Sequence, residues 1–236
     1  MNPPLLRRWW WVGAVATALA GAGWAVIGSA ADLPVTPRNH SAFRSCVLTS
    51  YPKAAIVGFD TWADQSNANG KKGTGTTIQI QSANNKNNRG YVRFDLLKCV
   101  PTPDSTATVQ KATLRLYLTL APVSSRTYNL SRITGPCPES ATTCWTETNL
   151  TWNNRPTAAA SPTATLALTT TSPVGRYYEF DVTADVAAMV AGTASNYGWQ
   201  LADAAENNAT PVITTFRSKE ANLAAGAPQL VVAFSP

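Results

Sequence analysis

The sequence predicts an all-β fold: an antiparallel β-sandwich of jelly-roll type with one short helix. Three observations carry this. Beyond about Tyr51 the apolar residues recur with a period of two, not the period of about 3.6 of a helix. The alternating runs are separated by clusters rich in Gly, Asn, Pro and Ser. The chain has 236 residues, 44 % hydrophobic and 14 % charged, which suits a single all-β domain of roughly 200 residues.

The first thirty residues stand apart. Arg7 and Arg8 form a basic start, Trp9 to Gly28 is an uncharged apolar run, and Gly28-Ser29-Ala30 is a small-residue ending. This pattern predicts a secretory signal peptide over 1–30, with an uncleaved membrane anchor as the competing reading. Residues 31–52 carry Pro34, Pro37, Asn39, Ser41 and Ser45 and few large apolar groups, so they read as a linker or lead-in. The folded domain is expected over 53–236.

Within it, Ile78 and Ile80 alternate with Thr77, Gln79 and Gln81. Val92, Phe94 and Leu96 alternate with Tyr91, Arg93 and Asp95, and Leu114 to Leu120 alternate with Thr113, Arg115, Tyr117 and Thr119. Tyr178, Phe180 and Val182 alternate with polar neighbours, and Leu230, Val232 and Phe234 close the chain. Each strand therefore has one apolar and one polar face, as in a sandwich with one solvated face per sheet. Val92, Phe94, Leu114, Leu116, Leu118, Phe180 and Val232 are expected to share one core. A short helix is expected at Ala184 to Ala191, capped by Thr183 and ended by Gly192. Thr157 to Ser172 is low in complexity, with a strand expected around Ala164 to Leu168.

The most distinctive run is Trp145-Thr-Glu-Thr-Asn-Leu-Thr-Trp-Asn-Asn-Arg-Pro156, which has neither period. It reads as a long crossover between strands. Buried tryptophans would pin it to a core, so Trp145, Trp152 and Trp199 are expected to be anchors. Trp62 lies among polar loop residues and is the best candidate for an exposed aromatic.

Four cysteines fit an exported chain. Cys137 and Cys144 bracket a Pro-containing hexapeptide and could close a small loop, leaving Cys46 to join Cys99; spacing alone does not choose among the three pairings. Zinc is disfavoured because Cys-x-x-Cys pairs are missing and the single histidine, His40, lies in the lead-in. That histidine also argues against a Ser-His-Asp or Cys-His unit. A polysaccharide-degrading enzyme with two carboxylates remains as an alternative. Asp60, Asp64, Asp95, Glu147, Glu179, Asp181 and Glu220 are its candidates, but no pair stands out by spacing and most read as surface ion pairs or caps. Asp64-Gln-Ser-Asn-Ala-Asn-Gly70 could lend oxygens to a structural calcium, but it has one carboxylate and reads better as an Asn/Gly turn. No cofactor is expected.

Without Arg7 and Arg8 the net charge falls from +6 to +4, a modest excess spread singly along the chain. Nothing here reads nucleic acid. The polar strand faces are more suggestive. Tyr91, Arg93, Arg115 and Tyr117 would combine flat rings with forked donors, as sugar-binding surfaces do, and arginine matches a carboxylate with two parallel hydrogen bonds. Lys71 and Lys72 stand near Trp62 and could meet an anionic glycan. The competing reading is that Arg93, Asp95 and Arg115 form a charge ladder that only stabilises the sheet.

The ordered set Arg89-Gly-Tyr-Val-Arg-Phe-Asp-Leu, Ala112-Thr-Leu-Arg-Leu-Tyr, the Trp145–Pro156 run, Phe180-Asp-Val-Thr, Asn196-Tyr-Gly-Trp-Gln-Leu, Phe216-Arg-Ser-Lys-Glu and Pro228-Gln-Leu-Val-Val resembles the DNRLRE-type secreted β-sandwich modules. That family includes alginate-binding carbohydrate-binding modules. The resemblance runs from about Ile56 to Phe234 and implies a sandwich fold, export and a non-catalytic polysaccharide-binding role. The expected protein is thus an extracellular monomer that leaves the membrane once its signal is cleaved. A structural or adhesion component of the cell envelope or matrix is the alternative role. Mass spectrometry of exported material is expected to show an N-terminus near Ala31. A chain that keeps residues 1–30 in the membrane fraction overturns the signal-peptide reading.

Overall fold

The computed structural model describes residues 43–52, 57–100, 102–135 and 145–235. The expected signal peptide, most of the lead-in, Cys137 and Cys144 lie outside these residues. The strands are β1 Arg44–Thr49, β2 Gly58–Asp64, β3 Thr77–Ser82, β4 Asn88–Phe94, β5 Thr108–Leu120, β6 Arg126–Arg132, β7 Ala164–Leu168, β8 Arg176–Asp181, β9 Trp199–Asp203, β10 Val212–Arg217 and β11 Gln229–Ser235. One helix, α1, spans Thr183–Val190. The fold is all-β and sandwich-like, and the strand pairs are antiparallel.

Hydrogen bonding follows the path β1-β11-β5-β10-β3-β4-β9-β6-β7, with β2 on β4 and β8 on β5. The thirteen-residue β5 is the spine of one layer. It pairs with β11 along its first part, β8 along its middle and β10 at its end. The second layer gathers on β4, which takes β2 on one side and β9 on the other. β3 meets β4 through a single pair, Gln81 with Asn88, and then lies across it. Gly90 marks this crossing. A Cβ there would stand 2.7 Å from Ile78 Cγ2 and 2.8 Å from Ile80 Cδ1, so only glycine lets the two layers close.

All seven residues expected in the core belong to one buried cluster, together with Ile78, Ile80, Leu230 and Phe234. The period-two pattern thus chose the right face for β3, β4, β5, β8 and β11. Leu120 departs from it: at the end of β5 it is 48 % exposed. Leu96 lies not in a strand but in a 3-10 turn, Leu96–Lys98, capped by the Asp95 carboxylate. β7 occupies the expected residues.

The segment read as a lead-in contains β1, which pairs with β11 from Arg44↔Phe234 to Thr49↔Gln229. Cys46 on β1 bonds to Cys99 with Cα atoms 5.6 Å apart, as the sequence led us to expect. Closing a loop of this length stabilises the fold by about 4 kcal/mol in the chain-entropy model. The helix begins one residue earlier than expected, and Thr183 does not cap it. Its hydroxyl accepts from Ala112 N at 2.9 Å and donates to Asp181 Oδ1 at 2.6 Å, because β5 has a backbone N–H to satisfy there.

Phe94 is 1 % exposed in the main core. Phe94→Ala is expected to lower stability by about 3–5 kcal/mol in denaturant unfolding. A loss under about 1 kcal/mol would show that this core relaxes around the cavity.

Candidate functional site

The Trp145–Pro156 crossover is the element that shapes the surface. Trp145 is buried and its indole donates to the Tyr197 carbonyl at 2.9 Å. With Trp152, Leu150, Ile133, Tyr91 and Ala63 it builds a second, smaller core on the outer face of β2 and β4. Trp199 is buried in the main core and donates to Asp185 at 2.8 Å. The three tryptophans expected to anchor do so.

An ionic node holds the crossover down. Lys219 Nζ lies 2.9 Å from Glu147 Oε2 and 2.5 Å from Glu220 Oε1. Glu147 Oε1 accepts from Asp60 N at 2.8 Å, and Lys219 N donates to the Asp60 carboxylate at 3.2 Å. Asp60 is wholly buried. Burial pushes its pKa up to about 7, against the lowering hydrogen bond from Ser218. Burial also raises Glu147. Lys219 is raised: burial works against this, but its hydrogen bonds to Glu220 and Glu147 prevail. Gly73 packs under the crossover, where a Cβ would stand 2.2 Å from the Glu147 carbonyl oxygen.

The carboxylates weighed for an enzyme are committed to partners. Asp60, Glu147 and Glu220 form the node. Asp64 caps the 3-10 turn Gln65–Asn67 and pairs with Lys72 at 3.2 Å. Burial pushes Asp64 up, but Ser66 and Lys72 outweigh it and leave it below the usual range. The loop read as a calcium candidate thus turns its carboxylate to a backbone cap and a lysine. Among the described residues no group of three or more His, Cys, Asp or Glu stands together to hold a metal. Glu179 pairs with Arg115 at 3.1 Å and Asp181 with Lys111 at 2.6 Å.

The expected binding residues fall into three groups. Trp62 is half-buried against the main core, and Lys72 lies 4.8 Å over its ring, so it is no open platform; Lys71 is exposed beside it. Tyr91 is not on a solvated face. It is wholly buried, edge-on to Trp145 with ring centroids 5.9 Å apart, because the crossover covers the face of β4 that alternation alone leaves polar. Arg93 is half-buried between Phe59, at 4.6 Å, and Trp145, at 5.6 Å. Arg115 and Tyr117 stand on β5, in the other layer. The expected ladder through Arg93, Asp95 and Arg115 therefore does not form; the ladder runs between β5 and β8 instead.

The β5–β8 face keeps its polar side groups half-exposed. The Arg115 guanidinium lies 4.5 Å over Tyr177, and that of Arg217 4.6 Å over Tyr117. The two rings meet edge to face at 5.3 Å. Arg115 also donates to Gln229 at 2.9 Å. A shallow cavity of about 640 Å³ opens here, lined by Arg115, Tyr117, Arg176, Tyr177, Tyr178 and Glu179.

A second groove, of about 530 Å³, lies on β6 and β9 against the end of the crossover. Arg89, Asn129, Ser131, Arg155 and Gln200 line it. Sequence reasoning missed these residues. Their alternation with Tyr128 and Leu130 on β6 is the signal that could have found Asn129 and Ser131.

The chain belongs to carbohydrate-binding module family 96, whose sequence model matches residues 53–234. No curated protein matches the sequence closely enough to serve as a relative. Among the described residues no helix is long and apolar enough to cross a membrane.

The node generates a pH dependence. The unfolded chain releases the Asp60 proton near the ordinary value, whereas the folded chain holds it to about 7. The folded state therefore binds more protons between these values, and stability falls as pH rises from about 4 to about 7, by at most about 1.4 kcal/mol per unit. Asp60→Asn is expected to flatten that slope in urea unfolding. Parallel slopes for the two proteins would show that Asp60 is already ionised beside Lys219.

Proposed function

We propose that this member of the family is an extracellular, non-catalytic module that binds an acidic polysaccharide on its β5–β8 face. The observation that carries this reading is the pairing of guanidinium groups with tyrosine rings, Arg115 on Tyr177 and Arg217 on Tyr117, beside the exposed Arg176. Arginine is weakly hydrated and presents a planar fork that fits a carboxylate. Resting on a ring fixes its plane before the ligand arrives. Glu179 is the one carboxylate among the residues lining the cavity, so the cations prevail. The Cys46–Cys99 disulfide is consistent with an oxidising, extracellular location. The commitment of the candidate carboxylates to ion pairs and caps supports a role without catalysis.

The purified protein is expected to bind polyuronates more tightly than neutral glycans, with affinity falling as salt rises, because exposed charges are screened over about 8–10 Å. Arg115→Ala and Arg176→Ala should each weaken uronate binding by about tenfold or more, the value of a charge-assisted hydrogen bond. Equal affinity for acidic and neutral chains, or unaltered binding in both variants, would sink the acidic-glycan reading. Unfolding of Arg115→Ala would make that residue part of a structural ladder.

A further inference from the structure

We propose that the β6–β9 groove is a second glycan site, one for an uncharged sugar chain. The inference rests on the sugar-binding reading of the family, but on different residues and a different layer from the acidic face.

The groove floor follows from strand register. Ser131 stands opposite Gln200, and Asn129 opposite Ala202, so all four share one face of the β6–β9 pair. The wall is the end of the crossover, where Arg155 stacks 4.0 Å over Trp152 and Ala158 and Ala159 follow. The volume of about 530 Å³ is that of a small-molecule site.

Gln200 is the informative residue. The residue is only 7 % exposed, yet its Nε2 is not among the buried unsatisfied atoms and so remains open to solvent. Its Oε1 accepts from Arg89 Nη1 at 3.1 Å and from the Tyr91 hydroxyl at 3.5 Å. The Arg89 guanidinium can only donate, so it fixes which way round the amide sits. Arg89 is itself fixed by two bonds to Glu206, each 2.7 Å. Gln200 lines the groove, and its protein hydrogen bonds among the described residues are made through Oε1, which leaves Nε2 without a protein acceptor there. The side chains of Asn129 and Ser131 are likewise without a protein partner there. A row of two amides and a hydroxyl, held on a rigid sheet and otherwise unused, matches the alternating donors and acceptors of sugar hydroxyls. The alanines beside it offer flat apolar patches for C–H faces.

Charge decides the class of sugar. Two guanidinium groups, Arg89 and Arg155, and two carboxylates, Asp203 and Glu206, line the groove. Arg89 is spent on Glu206, and Asp203 on Arg126 at 2.7 Å. Arg155 turns onto Trp152 and donates to its carbonyl. With Arg126 counted, three guanidinium groups stand against two carboxylates, and the one left over, Arg155, is turned onto Trp152, so a uronate gains less there than beside Arg115, Arg176 and Arg217, which face Glu179 alone. The module would thus hold a neutral chain on one layer and an acidic one on the other.

Calorimetric titration of the purified protein with cello-, xylo- and manno-oligosaccharides, and separately with oligogalacturonate, tests this. At least one neutral oligosaccharide is expected to bind with an affinity that salt does not alter. Gln200→Ala and Asn129→Ala should each weaken that binding by about tenfold, one hydrogen bond's worth, and leave the uronate unaffected. Arg115→Ala should do the reverse. Asn129 is half-buried and unpartnered, so it decides the matter if Gln200→Ala lowers the melting temperature. If no neutral chain binds, the groove inference falls while uronate binding on the other face stands. If neutral binding is lost in Arg115→Ala and kept in Asn129→Ala, the β5–β8 face is the single site. If oligogalacturonate alone binds and only the groove variants lose it, both assignments are overturned.

Discussion

The surface of this module depends on one buried ionic contact, Lys219 with Glu147. Lys219 is 7 % exposed and Glu147 comes from the start of the crossover. Removing Lys219 would leave the Glu147 and Glu220 carboxylates, 14 % and 13 % exposed, without their shared cation, which destabilises far more than the loss of an exposed pair would. The Asp60 carboxylate accepts from Lys219 N and the Asp60 N–H donates to Glu147, so β2, the 3-10 turn after β10 and the crossover meet at one point. With the start of the crossover fixed there, Trp145 and Trp152 pack over Tyr91 of β4. The burial of Tyr91, the half-burial of Arg93 and the tight approach at Gly73 all follow from that placement.

The same contact divides the outer face of the second layer. The part under Trp145 and Trp152 becomes a small core. The part beyond, on β6 and β9, stays polar and gains a wall, because the chain leaves the crossover through Arg155 and Pro156 and runs along its edge. Trp152 serves both parts: one side faces the small core, and the Arg89 and Arg155 guanidinium groups lie at 5.1 and 4.0 Å from its ring. A crossover that merely capped the sheet would have left no groove.

How much of this the sequence revealed depends on how many layers cover each strand. Strands covered on one face, such as β3, β5 and β11, announce themselves by alternation, and their core residues were legible. β2 is buried on both faces, with Asp60, Thr61 and Asp64 among its buried residues, so Gly58–Asp64 shows no period. β4 shows the right period but only half of its meaning. Val92 and Phe94 point to the main core as alternation requires, yet Tyr91 points to a second core that a distant segment supplies. No local pattern can reveal a cover that comes from more than fifty residues downstream. The candidate site was legible to the same extent. Arg115 and Tyr117 lie on a face that no second core covers among the described residues, and they stay half-exposed. Gln200 and Arg89 matter through partners across the sheet, which spacing along the chain does not show.

The β5–β8 ion pairs bear on whether that face exists for stability. Arg115 and Glu179 are 32 % and 60 % exposed, and Lys111 and Asp181 are 59 % and 58 % exposed. Pairs so open to water contribute about 0–1 kcal/mol each. The β5 core side, with Leu114, Leu116 and Leu118 wholly buried, supplies several times that. The sheet would therefore hold without its outer arginines. Two of them are nonetheless seated on tyrosine rings, and the Tyr177 hydroxyl is in turn held: it donates to Ala227 O at 3.0 Å and accepts from Gly226 N at 3.1 Å. Such order on a half-exposed face adds little to folding. It lowers the entropy that a ligand must remove on binding, and this is the advantage a preformed recognition surface has over a flexible one.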